Sequence, residues 1–118
     1  MLPSTLRIYV CTAPQDMRRS FDRLAQCARE VTGEEPQSSG ALFVFAGKSA
    51  TRLKLLWWDR NGYCLLYKRL HQAIFELPPP QDAAGAVVRI DGAELARLVA
   101  GVAKQMKRGK KQEVAKKN

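Results

Sequence analysis

The sequence predicts one α+β domain with a mainly antiparallel sheet of four to five strands and two helices, in the order β-α-β-β-β-(β)-α. The chain has 118 residues and 46% of them are hydrophobic, which suits a single core. Short alternating or apolar segments end at turn residues, and two longer segments repeat apolar residues at helical spacing. We expect a globular domain over 1–108 and a flexible basic tail over 109–118.

A strand and a helix open the chain. Residues 6–11 alternate between apolar and other side chains, which is the period of a half-buried strand. After Pro14, one apolar stripe recurs at helical spacing: Met17, Phe21, Leu24, Ala28 and Val31. Asp16 favours the positive end of this predicted helix, and Gly33 ends it.

A hairpin is the strongest local signal in the chain. The apolar segment 42–46 predicts a strand covered on both faces. Residues 52–70 predict two antiparallel strands that reverse over 59–62, where Asp-Arg-Asn-Gly supplies the residues that accept a positive φ. Residues 71–77 could extend the sheet as far as the prolines at 78–80, which stop it.

Pairing across this hairpin divides its side chains between two faces. Whether the turn contains two residues or four, the pairing places the same basic, aromatic and apolar side chains together on one face, the mixed face: Arg52, Lys54, Leu56, Trp58, Tyr63, Leu65, Tyr67 and Arg69. The opposite face is an apolar core face: Leu53, Leu55, Trp57, Cys64 and Leu66. Two interpretations of the mixed face stay open. Its rings and cations could stack bases and hold phosphates, or a helix could pack on it while Lys54 extends outward.

The last part of the domain is predicted as a strand and a helix. Residues 86–90 form the strand, and Asp91 with Glu94 forms a capping box at the start of the helix. The helix is expected to reach about Arg108, with one core-facing stripe: Leu95, Leu98, Val99, Val102 and Met106. Which face of the sheet each helix covers is left open.

Charge indicates a polyanionic partner. The chain carries 20 Lys and Arg against 11 Asp and Glu, a net charge of +9. Seven of these basic residues and one acid lie in 104–118, so that segment holds +6. Phosphate attraction is the favoured use of the tail, and the alternative is that the run is merely a solvated segment.

Cysteine usage and the start of the chain indicate a cytoplasmic protein without a cofactor. Cys11, Cys27 and Cys64 are far apart, and a single histidine, His71, leaves no zinc-ligand set. No signal peptide or long apolar segment is apparent, so no membrane association is expected. Nucleoid association is compatible with this prediction.

Catalytic interpretations are weaker. Gly-Lys-Ser at 47–49 lacks the spacing of a phosphate loop and fits a turn. Five acids could serve a metal-dependent nuclease: Asp16, Asp22, Asp59, Glu76 and Glu94. Their spacing does not require this, and local structural roles explain Asp16, Asp22, Asp59 and Glu94. His71 has no nucleophile nearby in sequence. We therefore expect no enzymatic activity, with a nuclease as the remaining alternative.

Four segments together resemble a known family. Residues 16–22, 42–45, 52–59 and 62–70 resemble the TnpB (Orf2-like) accessory proteins of the IS-66 family of bacterial insertion sequences. The resemblance implies a protein encoded beside a separate DDE-type transposase and needed for transposition. The resemblance implies participation in transposition and does not imply a particular chemical reaction.

Charge and resemblance together predict an accessory factor that binds nucleic acid, such as the DNA of the transposon ends. The expected contact residues are basic or aromatic: Arg18, Arg19, Arg23, Arg52, Lys54, Trp58, Tyr67, Lys68, Arg69, Lys104, Lys107, Arg108, Lys110 and Lys111. The alternative is a module that docks on the transposase of the same element, with Trp58, Tyr63 and Tyr67 as anchors. The kind of nucleic acid and the oligomeric state are left open.

Overall fold

The computed structural model describes residues 6–79 and 85–103. Within these residues, ten elements follow one another: β1 (Ile8–Cys11), α1 (Phe21–Thr32), α2 (Pro36–Ser39), β2 (Leu42–Ala46), β3 (Arg52–Asp59), β4 (Gly62–Arg69), β5 (Ala73–Ile74), β6 (Val87–Ile90), α3 (Gly92–Ala100) and β7 (Val102–Ala103). The α+β prediction is confirmed. The short helix α2 lies in a segment for which the sequence predicts no helix or strand.

A five-stranded sheet is the centre of the fold. Its strand order is β4-β3-β2-β1-β6. Three neighbouring pairs are antiparallel, as predicted, whereas β1 and β2 are parallel because α1 carries the chain back between them. The segment 71–77 does not extend this sheet. Its residues 73 and 74 form β5, which pairs with β7 in a separate two-stranded sheet.

Helices cover both faces of the five-stranded sheet. On one face, Leu24 and Ala28 of α1 pack with Phe43 and Leu56. On the other face, α3 packs through two leucines on a second set of strand side chains: Leu95 and Leu98 against Val10, Val44, Leu53 and Leu55. Every residue of β2 is buried, as predicted for a strand covered on both faces.

The hairpin has the predicted register. Lys54 lies opposite Tyr67, and Trp58 lies opposite Tyr63. Arg60 in the turn has φ 57°. The apolar face of the hairpin is a core face at Leu53 and Leu55, as predicted, whereas Leu66 near the end of the edge strand β4 is exposed. The mixed face is a second core face where α1 covers it, and there Leu56 is fully buried.

The predicted start of the first helix is wrong. The helix begins at Phe21 after the N-cap Ser20, and Asp16 lies in the preceding turn, where its carboxylate accepts from the Arg18 backbone N–H. Phe21, expected in the core, is exposed. Because Asn and Asp side chains readily bond to nearby backbone N–H groups, this turn competes with an earlier helix start.

The second predicted helix, α3, begins as predicted and ends before the predicted residue, Arg108. Asp91 and Glu94 form both hydrogen bonds of the capping box. The helix ends at Ala100 because Gly101 has φ 79°, and a Cβ at this position would lie 2.5 Å from Leu70 Cδ1. Val102 therefore lies in β7 rather than in the predicted stripe. Met106 and the predicted tail lie outside the described residues.

Candidate nucleic-acid interface

One end of the five-stranded sheet gathers loops from distant parts of the chain. The parallel strands β1 and β2 both end there, β3 begins there, and the antiparallel β4 ends there. The loop 12–20 between β1 and α1 and the turn 47–51 between β2 and β3 therefore lie side by side. We call this region the sheet end.

Tight packing fixes the two loops against each other. The Gln15 N–H donates to the Ala46 carbonyl over 2.8 Å, and the Gly47 N–H donates to the Arg52 carbonyl over 2.9 Å. A Cβ on Gly47 would lie 2.8 Å from Met17 Cγ, so glycine leaves room for this side chain. The backbone at the sheet end is therefore held in place.

Cations from three segments line one open cleft at the sheet end. Arg18 comes from the β1–α1 loop, Lys48 from the β2–β3 turn and Arg52 from the start of β3. Asp16 also lines this cleft, and its carboxylate lies 2.8 Å from Arg18 Nη2. That guanidinium holds the pKa of Asp16 well below its usual range, so Asp16 stays ionised. The cleft holds three cations and one carboxylate.

The cationic surface continues toward α1. Arg18, Arg19 and Arg23 line a neighbouring depression around Ser20. Arg19 Nη1 donates to the side chain of Gln15 over 3.0 Å, and Arg23 is exposed on the first turn of the helix. Arg18 and Arg19 precede the helix, so these three arginines form a patch around the start of α1.

Two arginines face each other across the hairpin at the same end. Arg52 on β3 and Arg69 on β4 are paired residues, and both are exposed. Within residues 6–79 and 85–103, neither has a carboxylate partner. Like charges directly opposite each other destabilise a sheet. The two guanidinium groups therefore repel each other, and a bound anion would reduce that repulsion.

Lys54 is not part of the accessible cationic surface. Its side chain is buried, and its ammonium donates to the Arg19 carbonyl over 2.6 Å. The ammonium also lies 4.9 Å from the centroid of the Tyr67 ring. Burial lowers the pKa of Lys54, against the opposing effect of Asp16. The predicted phosphate contact by Lys54 is therefore corrected, because α1 and its preceding loop cover this residue.

Comparison with known proteins decides the family. Residues 6–109 match the family model described as IS66 Orf2 like protein. The chain belongs to this IS66 Orf2-like family. A protein of Sinorhizobium fredii, "Uncharacterized protein y4hO", is 39% identical over 104 residues, covering 86% of this chain and 87% of that one. A second protein of the same organism, "Uncharacterized protein y4jC", is 35% identical over 97 residues, covering 82% and 80%. No solved structure matches.

Membership assigns this IS66 Orf2-like protein an accessory role related to transposition, as the resemblance implied. The fold places only part of the predicted contact set together. Arg18, Arg19, Arg23, Arg52 and Arg69 lie at or beside the sheet end.

Other predicted contacts lie elsewhere. Trp58 is at the opposite end of the hairpin, where its ring meets Tyr63 edge-on at a centroid distance of 4.9 Å. Lys68 points to the face covered by α3, and its ammonium donates to the Val99 carbonyl over 2.8 Å. The predicted contacts within 104–118 lie outside the described residues: Lys104, Lys107, Arg108, Lys110 and Lys111.

Sequence reasoning missed Lys48 as a contact residue. The sequence around Lys48 predicts a turn and no binding role, and the structure places Lys48 in that turn, beside the cleft. A signal was available, since a tight turn between strands must bring Lys48 close to the start of the next strand, where Arg52 lies.

No metal site is present in the part of the chain that the structure describes, where no three His, Cys, Asp or Glu side chains are close enough to hold an ion. Glu94 has the predicted role at a helix start, and Asp59 lies at the hairpin reversal. Within those same residues, no helix is long and apolar enough to cross a membrane.

Proposed function

We propose that this protein serves transposition by binding nucleic acid at the sheet end. One observation carries the proposal: Arg18, Lys48 and Arg52, from three separate segments, line one cleft, and Arg69 faces Arg52 without a carboxylate partner in the described chain. A surface that brings cations together in this way attracts a polyanion and weakens its own stability in the absence of one.

Phosphate groups suit these side chains. A guanidinium can donate two parallel hydrogen bonds to a phosphate, and a lysine adds a point charge. Contacts of this kind position a protein on nucleic acid without reading its sequence. The proposed partner is DNA of the transposon ends, and the proposed role is to assist the transposase without catalysis by this chain.

Replacement of the two facing arginines tests the proposal. The double variant Arg52→Gln, Arg69→Gln removes two cations from the sheet end. We expect weaker binding to a transposon-end DNA and a slope of log K against log salt that is smaller by about 2, from roughly 0.9 per phosphate neutralised. Fluorescence anisotropy over a salt series measures both quantities.

The matched control is Arg60→Asn, which removes a cation at the other end of the hairpin. Asn tolerates the positive φ of Arg60, so this turn should persist. We expect the control to change the slope far less than the double variant. Equal slopes for the unaltered protein and the double variant would contradict binding at the sheet end.

An alternative function is docking on the transposase. The observation in its favour is an edge strand with exposed apolar side chains, since Leu66 and Tyr67 of β4 are 43% and 51% exposed. Co-purification separates the two functions. Association with the transposase that persists in high salt, with no binding to any nucleic acid, would favour docking.

A further inference from the structure

We propose that the sheet end takes unpaired nucleotides, with the Tyr67 ring as a stacking surface for a base and with Arg52 and Arg69 as the neighbouring phosphate contacts. This inference rests on the proposed function and specifies its ligand as single-stranded nucleic acid.

Tyr67 differs from the other two tyrosines in its accessibility. Tyr9 is buried and stacks on Phe43, and Tyr63 packs edge-on against Trp58. Tyr67 is instead 51% exposed, although it lies on a strand that pairs with β3 at eight positions. A large ring left in solvent on a rigid strand is available to a partner.

The buried Lys54 fixes the position of this ring. Its ammonium lies 4.9 Å from the ring centroid and is itself held by the Arg19 carbonyl at 2.6 Å. A cation over an aromatic ring is attracted by the ring quadrupole, and more strongly when water is excluded. Lys54 therefore acts as a positioning residue: it occupies one side of Tyr67 and restricts the ring before any ligand arrives.

Cations stand next to the ring on the same face. Lys54 and Tyr67 are paired across the hairpin, and the adjacent pair on that face is Arg52 and Arg69. Residues two apart in a strand are about 7 Å from each other. A nucleotide whose base lies on Tyr67 can therefore bring its phosphate to these guanidinium groups.

The geometry favours unpaired over paired bases. In a duplex, each base is stacked between its neighbours, so a ring on a sheet surface cannot reach its face. Sheet-borne aromatic rings with adjacent cations bind single strands because splayed bases expose their π-faces. Stacking of this kind tolerates any base, so the inference concerns strandedness and not sequence.

The test uses the full chain and measures how binding depends on the strandedness of the nucleic acid and on the aromatic ring of Tyr67. Anisotropy titrations use three labelled probes of one sequence and length: single-stranded DNA, single-stranded RNA and duplex DNA. Tyr67→Ala should weaken binding of a single-stranded probe by roughly 5- to 150-fold, the range for loss of one stacked base. Duplex binding should change less than about twofold. The DNA and RNA arms decide which single strand is the ligand.

Conservative variants separate stacking from structure. Tyr67→Phe keeps the ring and should retain single-strand binding, whereas Tyr67→Leu keeps an apolar side chain without a π-face and should not. Leu66→Ala is the matched control, because the neighbouring residue is exposed on the opposite face. Lys54→Met removes the positioning charge and should weaken single-strand binding while the midpoint of thermal unfolding shows that the fold persists.

Failure of this inference differs from failure of the proposed function. If the Arg52→Gln, Arg69→Gln variant weakens binding but Tyr67→Ala weakens all three probes equally or none, the stacking surface is overturned and the proposed function stands. If the arginine variant leaves binding of every probe unchanged, the proposed function fails together with the inference.

Discussion

Burial of single side chains determines which groups of this protein are reactive. Cys11 on β1 and Cys27 on α1 belong to the same core cluster. Burial raises the pKa of the Cys11 thiol to about 12, and the nearby Cys27 contributes in the same direction. Burial also raises the pKa of Cys27. The thiolate is the reactive form of cysteine, so we expect both thiols to react slowly in the folded protein.

Native alkylation tests this protection. With iodoacetamide near neutral pH, we expect Cys64, which is only partly buried, to be labelled while Cys11 and Cys27 are not. Mass spectrometry of proteolytic fragments identifies the labelled sites. Labelling in urea is the control, since unfolding should expose all three. Native labelling of Cys11 as fast as that of Cys64 would contradict the core placement.

At the scale of elements, the two longer helices differ in the hydrogen bonds that cap their N-termini. The Asp91 side chain accepts from the Glu94 backbone N–H over 2.8 Å, and the Glu94 carboxylate accepts from the Asp91 N–H over 2.9 Å. By contrast, the Ser20 side chain makes no capping hydrogen bond to α1. The cap of α3 is therefore the better target for a stability measurement.

Removal of this cap should lower stability measurably. For Asp91→Ala we expect the free energy of unfolding to fall by about 1 kcal/mol, because an N-terminal N–H of the helix loses its acceptor. Urea unfolding followed by circular dichroism measures the change. Glu94→Gln is the control, since glutamine also completes a capping box. An unchanged midpoint for Asp91→Ala would mean that water replaces the cap at no cost.

At the scale of the whole molecule, cations at the sheet end and in the tail have different expected roles. The described sheet end presents a fixed arrangement, with Arg18, Lys48 and Arg52 around one cleft. The segment 104–118 adds +6 of the +9 net charge. A fixed cluster positions a partner, whereas a run of charge mainly strengthens attraction over a distance limited by salt screening.

Deletion of residues 104–118 tests the contribution of the tail. We expect the slope of log K against log salt for transposon-end DNA to fall by up to ~5, from about 0.9 per phosphate and the loss of six net charges. The circular dichroism spectrum of the shortened chain, compared with that of the full chain, controls for folding. A slope that does not change would remove the tail from the binding surface.

The sequence by itself determined the features that depend on near neighbours. The hairpin reversal between Asp59 and Gly62, the pairing of Lys54 with Tyr67 and the capping box at Asp91 all follow from residues within one hairpin or one helix turn, although the positive φ of the reversal falls on Arg60. Turn chemistry and strand alternation act over such distances. The resemblance to the IS66 Orf2-like family likewise rests on short segments.

Tertiary structure alone decided which surfaces are covered. The parallel pairing of β1 with β2, the placement of the β1–α1 loop against Lys54 and the meeting of Lys48 with Arg18 join residues far apart in the chain. Strand periodicity shows that Lys54 and Tyr67 share a face, but not that one is buried and the other exposed. Burial is a property of what packs above a residue, and periodicity within a strand does not contain that information.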